Sequence, residues 1–303
     1  MKQQYINIKS LFRVSLLSMV LVCCAMMSKA QLYPLQTMYF QNQYLYNPAL
    51  AGMDSKFNLN LDYRQQWSDF PGTPKTGSVS ADFQPTDKVG LGLIVSQDQY
   101  GLIKQTMAKV SYAYHVPLNG SDEHLNFGLS LGINNSRINY GDVIGDQTDA
   151  AISQYNQAKP YFDGDLGIAY TSSGFSIGGS IPNLRENFFK KGDDRFDSDA
   201  LLFMALASYK ISFVGGDKDF VVEPLAAYRV VHGYTDIFDA GVNLDMKNTG
   251  IYFQGVYQTS KSMNVGFGYD GGSYALNFSY NYETGQIANY TNGAFEVGLK
   301  FRF

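Results

Sequence analysis

The sequence predicts an all-β protein: a transmembrane, antiparallel, up-and-down β-barrel of about 14 strands that follows a cleaved signal peptide. Two observations carry this prediction. Aromatic residues make up 15% of the 303-residue chain and glycine occurs 30 times, whereas charged residues make up only 17%. From residue 56 onward, apolar and polar residues alternate with a period of two, which gives each segment one apolar and one polar face. A barrel needs both features, because its strands lie between lipid and a polar lumen.

About 14 segments follow this alternation, at spacings that suit strands of the roughly ten residues with which a tilted strand crosses a bilayer. They are residues 57–63, 79–83, 89–95, 110–116, 125–133, 166–170, 175–181, 200–211, 220–230, 238–246, 251–257, 263–269, 274–282 and 295–303. Residues 200–211 also suit a helix by propensity, but their length and the turn signal at residues 215–218 favour a strand. The last segment places Phe295, Val297, Leu299, Phe301 and Phe303 on one face.

The links between these segments differ in length from one side of the predicted barrel to the other. With the first strand running outward, short links follow Phe83, Val116, Tyr170, Phe213, Met246 and Tyr269. Most of the longer links, at residues 67–76, 135–160, 185–199 and 283–292, fall on the other side. Short periplasmic turns and long outer loops are typical of outer-membrane barrels. We therefore expect the protein in the outer membrane of a Gram-negative cell, in contact with its lipid.

A soluble β-sandwich or propeller in the periplasm is the alternative fold. Such a fold packs the apolar face of one sheet against a second layer. The predicted strands have a second face of small or polar residues. Because this holds for many consecutive strands, too little apolar surface is left for that layer. The alternation therefore favours the barrel.

The first 30 residues predict a cleavable signal peptide. Lys2, Lys9 and Arg13 precede an apolar run over residues 14–25, and Ala30 ends a small-residue cleavage signal. A transmembrane anchor is one alternative, but it would need about 20 apolar residues, and the run over residues 14–25 is shorter. A lipoprotein signal at Cys23 or Cys24 is the other alternative, but neither cysteine follows a small residue.

Removal of residues 1–30 changes both the thiol content and the charge of the chain. Cys23 and Cys24 are the two cysteines, so the mature protein would hold no disulfide and no cysteine metal site. It would carry 19 basic and 27 acidic residues, a net charge of about −8, which gives no reason to expect nucleic acid as a partner. Residues 31–55 show no clean period, and we expect an irregular periplasmic, plug-like segment that tucks into the mouth of a barrel formed by residues 56–303.

Residues with catalytic potential are scattered. His115, His124 and His232 lie far apart without metal-ligand spacing, and no nucleophile elbow or phosphate-binding glycine loop is present. An outer-membrane protease or lipase would need a clustered acid and base, and the pair Asp163 and Asp165 has no obvious partner. The sequence therefore predicts no enzyme activity, no cofactor and no metal.

Charged residues on the predicted inner face indicate a polar lumen. They are Asp62, Arg64, Asp82, Lys109, Asp163, Asp165, Glu223, Arg229, Asp239, Asp245, Glu296, Lys300 and Arg302. Their pattern suits either a salt-bridged, hydrated lumen or a selective permeation path. Period-two glycines such as Gly90 and Gly92 mark crowded inward positions.

Several stretches together resemble the PorP/SprF family of outer-membrane proteins, which belong to the type IX secretion and gliding machinery. The specific part lies between Asn47 and Gly92. It comprises Asn47-Pro48, Ala51-Gly52, Tyr63-Arg64-Gln65-Gln66-Trp67, Phe70-Pro71-Gly72-Thr73-Pro74-Lys75-Thr76 and Val89-Gly90-Leu91-Gly92. Later glycine and tyrosine matches are weaker.

The resemblance implies a barrel that helps to export, or to hold at the cell surface, a large adhesin whose C-terminal domain the system recognises. Its implied partners are periplasmic type IX components, the secreted adhesin or its C-terminal domain, and outer-membrane lipid. The residues that match the motif are candidates for partner or cargo interaction or for a plug: Asn47, Pro48, Gly52, Arg64, Gln66, Trp67, Pro74 and Lys75. We expect Arg64, Gln66, Trp67, Pro74 and Lys75 to be exposed; the alternative for Trp67 and the prolines is a role in packing the loop. The alternative function is a channel for small solutes, which would need an open, charge-lined lumen.

Overall fold

The computed structural model describes residues 38–67, 72–118, 122–143, 149–188, 201–215, 219–232, 235–284 and 292–303. The predicted signal peptide, with its alternative readings at Cys23 and Cys24, lies outside these residues. No helix within the described ranges is long and apolar enough to cross a membrane.

Fifteen strand segments follow one another along the described chain. They are β1 (Phe57–Gln66), β2 (Lys75–Thr86), β3 (Val89–Tyr100), β4 (Ile103–Pro117), β5 (His124–Ile138), β6 (Tyr161–Thr171), β7 (Phe175–Ile181), β8 (Leu201–Tyr209), β9 (Ile211–Phe213), β10 (Phe220–Val231), β11 (Ile237–Met246), β12 (Ile251–Gln258), β13 (Ser262–Asp270), β14 (Tyr274–Glu283) and β15 (Ala294–Arg302). Two short α-helices lie between strands, at Ala150–Gln157 and Leu184–Phe188.

The segments form one closed antiparallel barrel of 14 strands. Each strand pairs with its neighbours in sequence, and β1 closes the ring against β15, with Asn58 opposite Arg302. β8 and β9 count as one strand, because both pair with β10. The interruption between them lies opposite Pro224, which has no backbone N–H to donate to the ladder. The predicted fold class is confirmed, and so is the strand predicted at residues 200–211.

The two faces of the wall have opposite chemistry. Outward side chains are apolar and exposed, as at Val110, which is 60% exposed, and at Leu131 and Phe267. Inward side chains are polar and buried, as at Asn58 and Asn60 of β1. This arrangement is the inverse of a soluble protein and suits a wall with lipid outside. The enclosed face is polar, so it cannot form the apolar interior of a sandwich.

One predicted link is shorter than expected. β5 continues to Ile138, so the link predicted at residues 135–160 begins after that residue and contains the helix Ala150–Gln157. The side chain of Asn156 in this helix accepts a hydrogen bond from Ile138 N (2.8 Å) and donates one to Ile138 O (2.9 Å). These two hydrogen bonds hold Ile138, so β5 continues beyond the segment in which apolar and polar residues alternate. The alternation alone does not predict this extension.

Candidate functional site: a segment inside the lumen

Residues 38–53, the plug segment, precede β1 and lie inside the barrel. They contain two 3₁₀ turns, at Gln43–Leu45 and Pro48–Leu50. Its most buried side chains are those of Met38, Tyr39, Ala49 and Ala51. The described part of the predicted irregular segment 31–55 contains no strand, and residues 31–37 lie outside the described residues.

Four inward glycines of the wall make room for the plug segment. They are Gly90, Gly92, Gly128 and Gly167. A Cβ atom at these positions would lie 1.9 Å from the Ala51 carbonyl oxygen, 2.2 Å from the Tyr44 hydroxyl, 2.1 Å from the Ala49 nitrogen and 2.0 Å from Asn47 Oδ1, respectively. Real Cβ contacts are much longer, so only glycine fits. The prediction that such glycines mark crowded inward positions is confirmed.

Asn47 and Pro48 fix the middle of the plug segment. Asn47 Oδ1 accepts a hydrogen bond from Ala49 N (2.9 Å), and Pro48 occupies the first position of the following turn, where its missing N–H is harmless. Asn47 Nδ2 donates to the wall at Ile168 O (3.0 Å) and Gly179 O (3.3 Å). The same amide thus shapes the turn and attaches it to β6 and β7.

Gly52 fixes the end of the plug segment. Its φ of +78° favours glycine, and a Cβ there would lie 2.9 Å from Phe83 O. Its N–H donates to Asp82 Oδ2 (2.8 Å), which also accepts from Asn58 Nδ2 (2.9 Å). The chain is thereby held beside the start of β1.

An ion pair on the opposite wall holds the beginning of the plug segment. Arg229 Nε and Nη2 donate to the two carboxylate oxygens of Asp239 at 2.7 and 2.9 Å. The Tyr39 hydroxyl donates to Asp239 Oδ2 at 2.6 Å. Bidentate charge-assisted pairs are among the strongest hydrogen-bonded contacts in proteins, so Tyr39 is attached to a rigid part of the wall.

Two further contacts join the plug segment to β4. The ring nitrogens of His115 lie 2.8 Å from Asn126 Oδ1 and 3.1 Å from the Ala51 carbonyl oxygen. The Tyr44 hydroxyl lies 2.8 Å from Ser111 Oγ. Burial raises the pKa of Tyr44, so its hydroxyl stays protonated at neutral pH. Across the described residues, no three His, Cys, Asp or Glu side chains gather in a way that could hold a metal ion; the absence of a metal site stays a prediction.

The remaining motif residues lie at the other end of β1. Arg64 and Gln66 point into the lumen, and the Arg64 guanidinium lies 3.8 Å from the Glu296 carboxylate. The backbone N–H of Gln66 donates to Pro74 O (3.0 Å), and the backbone N–H of Trp67 donates to Gly293 O (2.7 Å). Trp67 has a φ of 50°.

The expected exposure of these five residues is wrong for Arg64, which is 2% exposed, and for Gln66 and Pro74, which are also buried. The sequence pattern already assigns Arg64 to the lumen, and Gln66 shares its parity on β1. Trp67 is half-buried and Lys75 is exposed. The motif therefore divides into Asn47, Pro48 and Gly52 in the plug segment and a second group at the outer end of the barrel.

A closed barrel with an apolar outer face and a chain segment in its lumen defines a plugged outer-membrane barrel protein. The chain belongs to the family described as type IX secretion system membrane protein PorP/SprF, whose model matches residues 28–301. The resemblance noted in the sequence is confirmed. The protein is an outer-membrane component of the type IX secretion system, and its partners include membrane-embedded machinery of that system.

Solved barrels are similar at low identity. Omp33, an outer-membrane protein of Acinetobacter baumannii, is 9% identical with a TM-score of 0.46 and covers 83% of this chain and 100% of its own. A mutant of the TodX monoaromatic hydrocarbon channel is 11% identical with a TM-score of 0.44, covering 86% and 92%. The KdgM porin is 10% identical with a TM-score of 0.40, covering 81% and 99%. No curated protein matches the chain.

Proposed function

We propose that this protein supports the export or surface attachment of a large adhesin by the type IX secretion system, by binding the adhesin or its C-terminal domain rather than by catalysis. The observation that supports this proposal best is the plug segment, which is seated on inward glycines and hydrogen-bonded to β4, β6 and β11. A lumen that is occupied by a segment of the same chain suits an adaptor. A passive channel would need a free path past that segment.

The charges of the lumen are consistent with this proposal. Lys109 Nζ lies 2.7 Å from Asp165 Oδ1, and Arg229 pairs with Asp239. Paired charges stabilise a hydrated wall, whereas a selective path presents charges to the solute. The solute channel remains the second candidate function.

A binding role without catalysis is also proposed from the carboxylates that were considered for an active site. Asp163 Oδ1 accepts hydrogen bonds from Gly164 N (2.7 Å) and Arg185 N (3.0 Å). Asp165 Oδ1 accepts from Lys109 and from Asn183 N (3.0 Å). Both carboxylates therefore organise the first half of β6 and the chain that follows β7.

Deletion of the chain from its native cell tests the function. We expect one or a few large adhesins to disappear from the cell surface and the medium, with precursors retained in the periplasm, because an adaptor serves particular cargo. Mass spectrometry of the surface, medium and periplasm measures this, and complementation with the wild-type chain is the control. An unchanged surface proteome would contradict the proposal and favour the solute channel.

A cross-link within the lumen tests whether the plug segment has to leave. Asn42 Nδ2 lies 2.8 Å from Ser80 Oγ of β2, so Asn42→Cys and Ser80→Cys can be joined by a short bis-methanethiosulfonate linker, which forms a disulfide with each thiol and releases methanesulfinate. We expect export in cross-linked cells to stay within about twofold of that in cells with either single variant, because binding leaves the lumen filled. A loss of export that a reducing agent reverses would show that the plug segment moves during function.

A further inference from the structure

A large cavity, the vestibule, opens at the end of the barrel where the short turns lie. Its volume is about 1050 Å³, and its lining includes residues of the turns at 172–174 and 270–272. Phe40, Leu50 and Met53 of the plug segment supply apolar groups to it. Short turns face the periplasm in outer-membrane barrels, so the vestibule opens toward the periplasm.

Most basic groups of the vestibule are neutralised by acidic neighbours. Lys247 Nζ lies 2.5 Å from Asp245 Oδ2, and Arg302 Nη1 lies 2.8 Å from Asp270 Oδ1.

Lys300 forms an ion pair with Asp54, and Arg302 Nε lies 3.6 Å from the same carboxylate. Burial alone would raise the pKa of Asp54, but Lys300 and Arg302 hold it below its ordinary value. Lys210 also lines the vestibule, opposite Glu223 in the register with β10, and acts electrostatically on Asp54.

Glu223 is one acidic group of the vestibule without such a partner among the described residues. It points inward from β10 opposite Asn243 of β11 and is 6% exposed. In the part of the chain that the structure describes, its carboxylate makes no hydrogen bond or ion pair, and Asn243 Oδ1 is buried without a donor. A buried carboxylate without donors is costly. Two neighbouring acceptors therefore face the vestibule, and both lack a donor.

The opposite wall of the vestibule is also negative. Among the described residues, the hydrogen bonds to Asp82 come from neutral groups, Gly52 N and Asn58 Nδ2, and Asp62 receives one from Ser78 Oγ at 3.4 Å. Lys300 acts electrostatically on both carboxylates. The vestibule lining nevertheless holds seven carboxylates and four lysine or arginine side chains, so its field favours a cation.

We propose that the vestibule binds a basic chain segment of a periplasmic type IX component, with a lysine or arginine side chain that donates to Glu223 and Asn243. Apolar residues beside that cation would contact Phe40, Leu50 and Met53. The inference goes beyond the proposed function, which concerns the adhesin, and its chemistry rests on the vestibule alone. Charge-assisted hydrogen bonds to the Glu223 carboxylate supply most of the selectivity.

Binding of synthetic peptides to the purified full-length protein in nanodiscs of neutral phosphatidylcholine tests this inference. The probe is a fluorescein-labelled octapeptide that alternates leucine and arginine, compared with the same peptide carrying glutamate in place of arginine. We expect saturable anisotropy with the arginine peptide only. Glu223→Gln should weaken its binding by about tenfold or more, because the charge-assisted contact is lost.

Two variants control for charge and for access. Asp87 lies in an exposed turn at the same end of the barrel, outside the vestibule lining, so Asp87→Asn removes an equal charge and should change binding by less than about twofold. Ser212 lines the vestibule, and Ser212→Trp should weaken binding because it places a bulky side chain in the lining. A heat-dependent shift in electrophoretic mobility, the mark of a folded barrel, shows that each variant is folded.

The outcomes separate this inference from the proposed function. Failure of the arginine peptide to bind, equal binding by Glu223→Gln, or weakening by Asp87→Asn as large as by Glu223→Gln would overturn the vestibule site, whatever the deletion strain secretes. Selective binding in a protein whose deletion leaves the surface proteome unchanged would support the site and contradict the secretion role.

Discussion

Replacement of Gly128 by valine is expected to displace the plug segment or to prevent the barrel from folding. A Cβ at this position would lie 2.1 Å from Ala49 N and 2.3 Å from the Pro48 carbonyl carbon. Both are backbone atoms, so no side-chain rotation can relieve the clash. We expect a loss of about 3 kcal/mol or more, at the upper end of the cost of overpacking.

Gly255→Val is the matched control. Gly255 faces outward on β12, and a Cβ there would have no neighbour within 4 Å. Urea unfolding in lipid vesicles compares the two variants, and limited proteolysis reports whether residues 38–53 have become accessible. Equal stability and equal protease resistance of Gly128→Val and Gly255→Val would show that the plug segment does not occupy the described position.

The strands could be predicted from the sequence because barrel walls obey a local rule. A residue such as Leu129 faces lipid and its neighbour Ser130 faces the lumen, so a period of two suffices to assign both. The inward position of the charged residues followed from the same parity. The extension of β5 to Ile138 could not be predicted in this way, since the helix Ala150–Gln157 that supports it makes a tertiary contact.

The plug segment could be predicted only in outline. Its lack of period was visible, but its path depends on wall residues more than 100 positions away, as for Asn47 with Ile168 or Tyr39 with Asp239. One signal was available: inward glycines on strands β3, β5 and β6. A small residue that recurs on the lumen face leaves space inside the barrel. The aperiodic segment 31–55, which is rich in tyrosine and asparagine, is the part of the same chain that can fill this space.

The ion pair behind Tyr39 is expected to be the largest single electrostatic contribution to the stability of this site. Arg229 is 1% exposed and Asp239 is equally buried, so Arg229→Met would leave a buried carboxylate with the Tyr39 hydroxyl but without its bidentate cation. Breaking a buried pair by removing one partner costs about 3–5 kcal/mol. Urea unfolding should show a loss in this range.

The double variant Arg229→Met, Asp239→Asn distinguishes loss of a charge partner from loss of packing. The asparagine keeps an acceptor for Tyr39 but carries no charge, so we expect most of the lost stability to return, because a buried pair replaced on both sides costs little. A single variant within about 1 kcal/mol of wild type would contradict the burial of the pair. A double variant as unstable as the single one would mean that the guanidinium acts chiefly by filling space, and that the attachment of the plug segment to β11 depends on shape rather than charge.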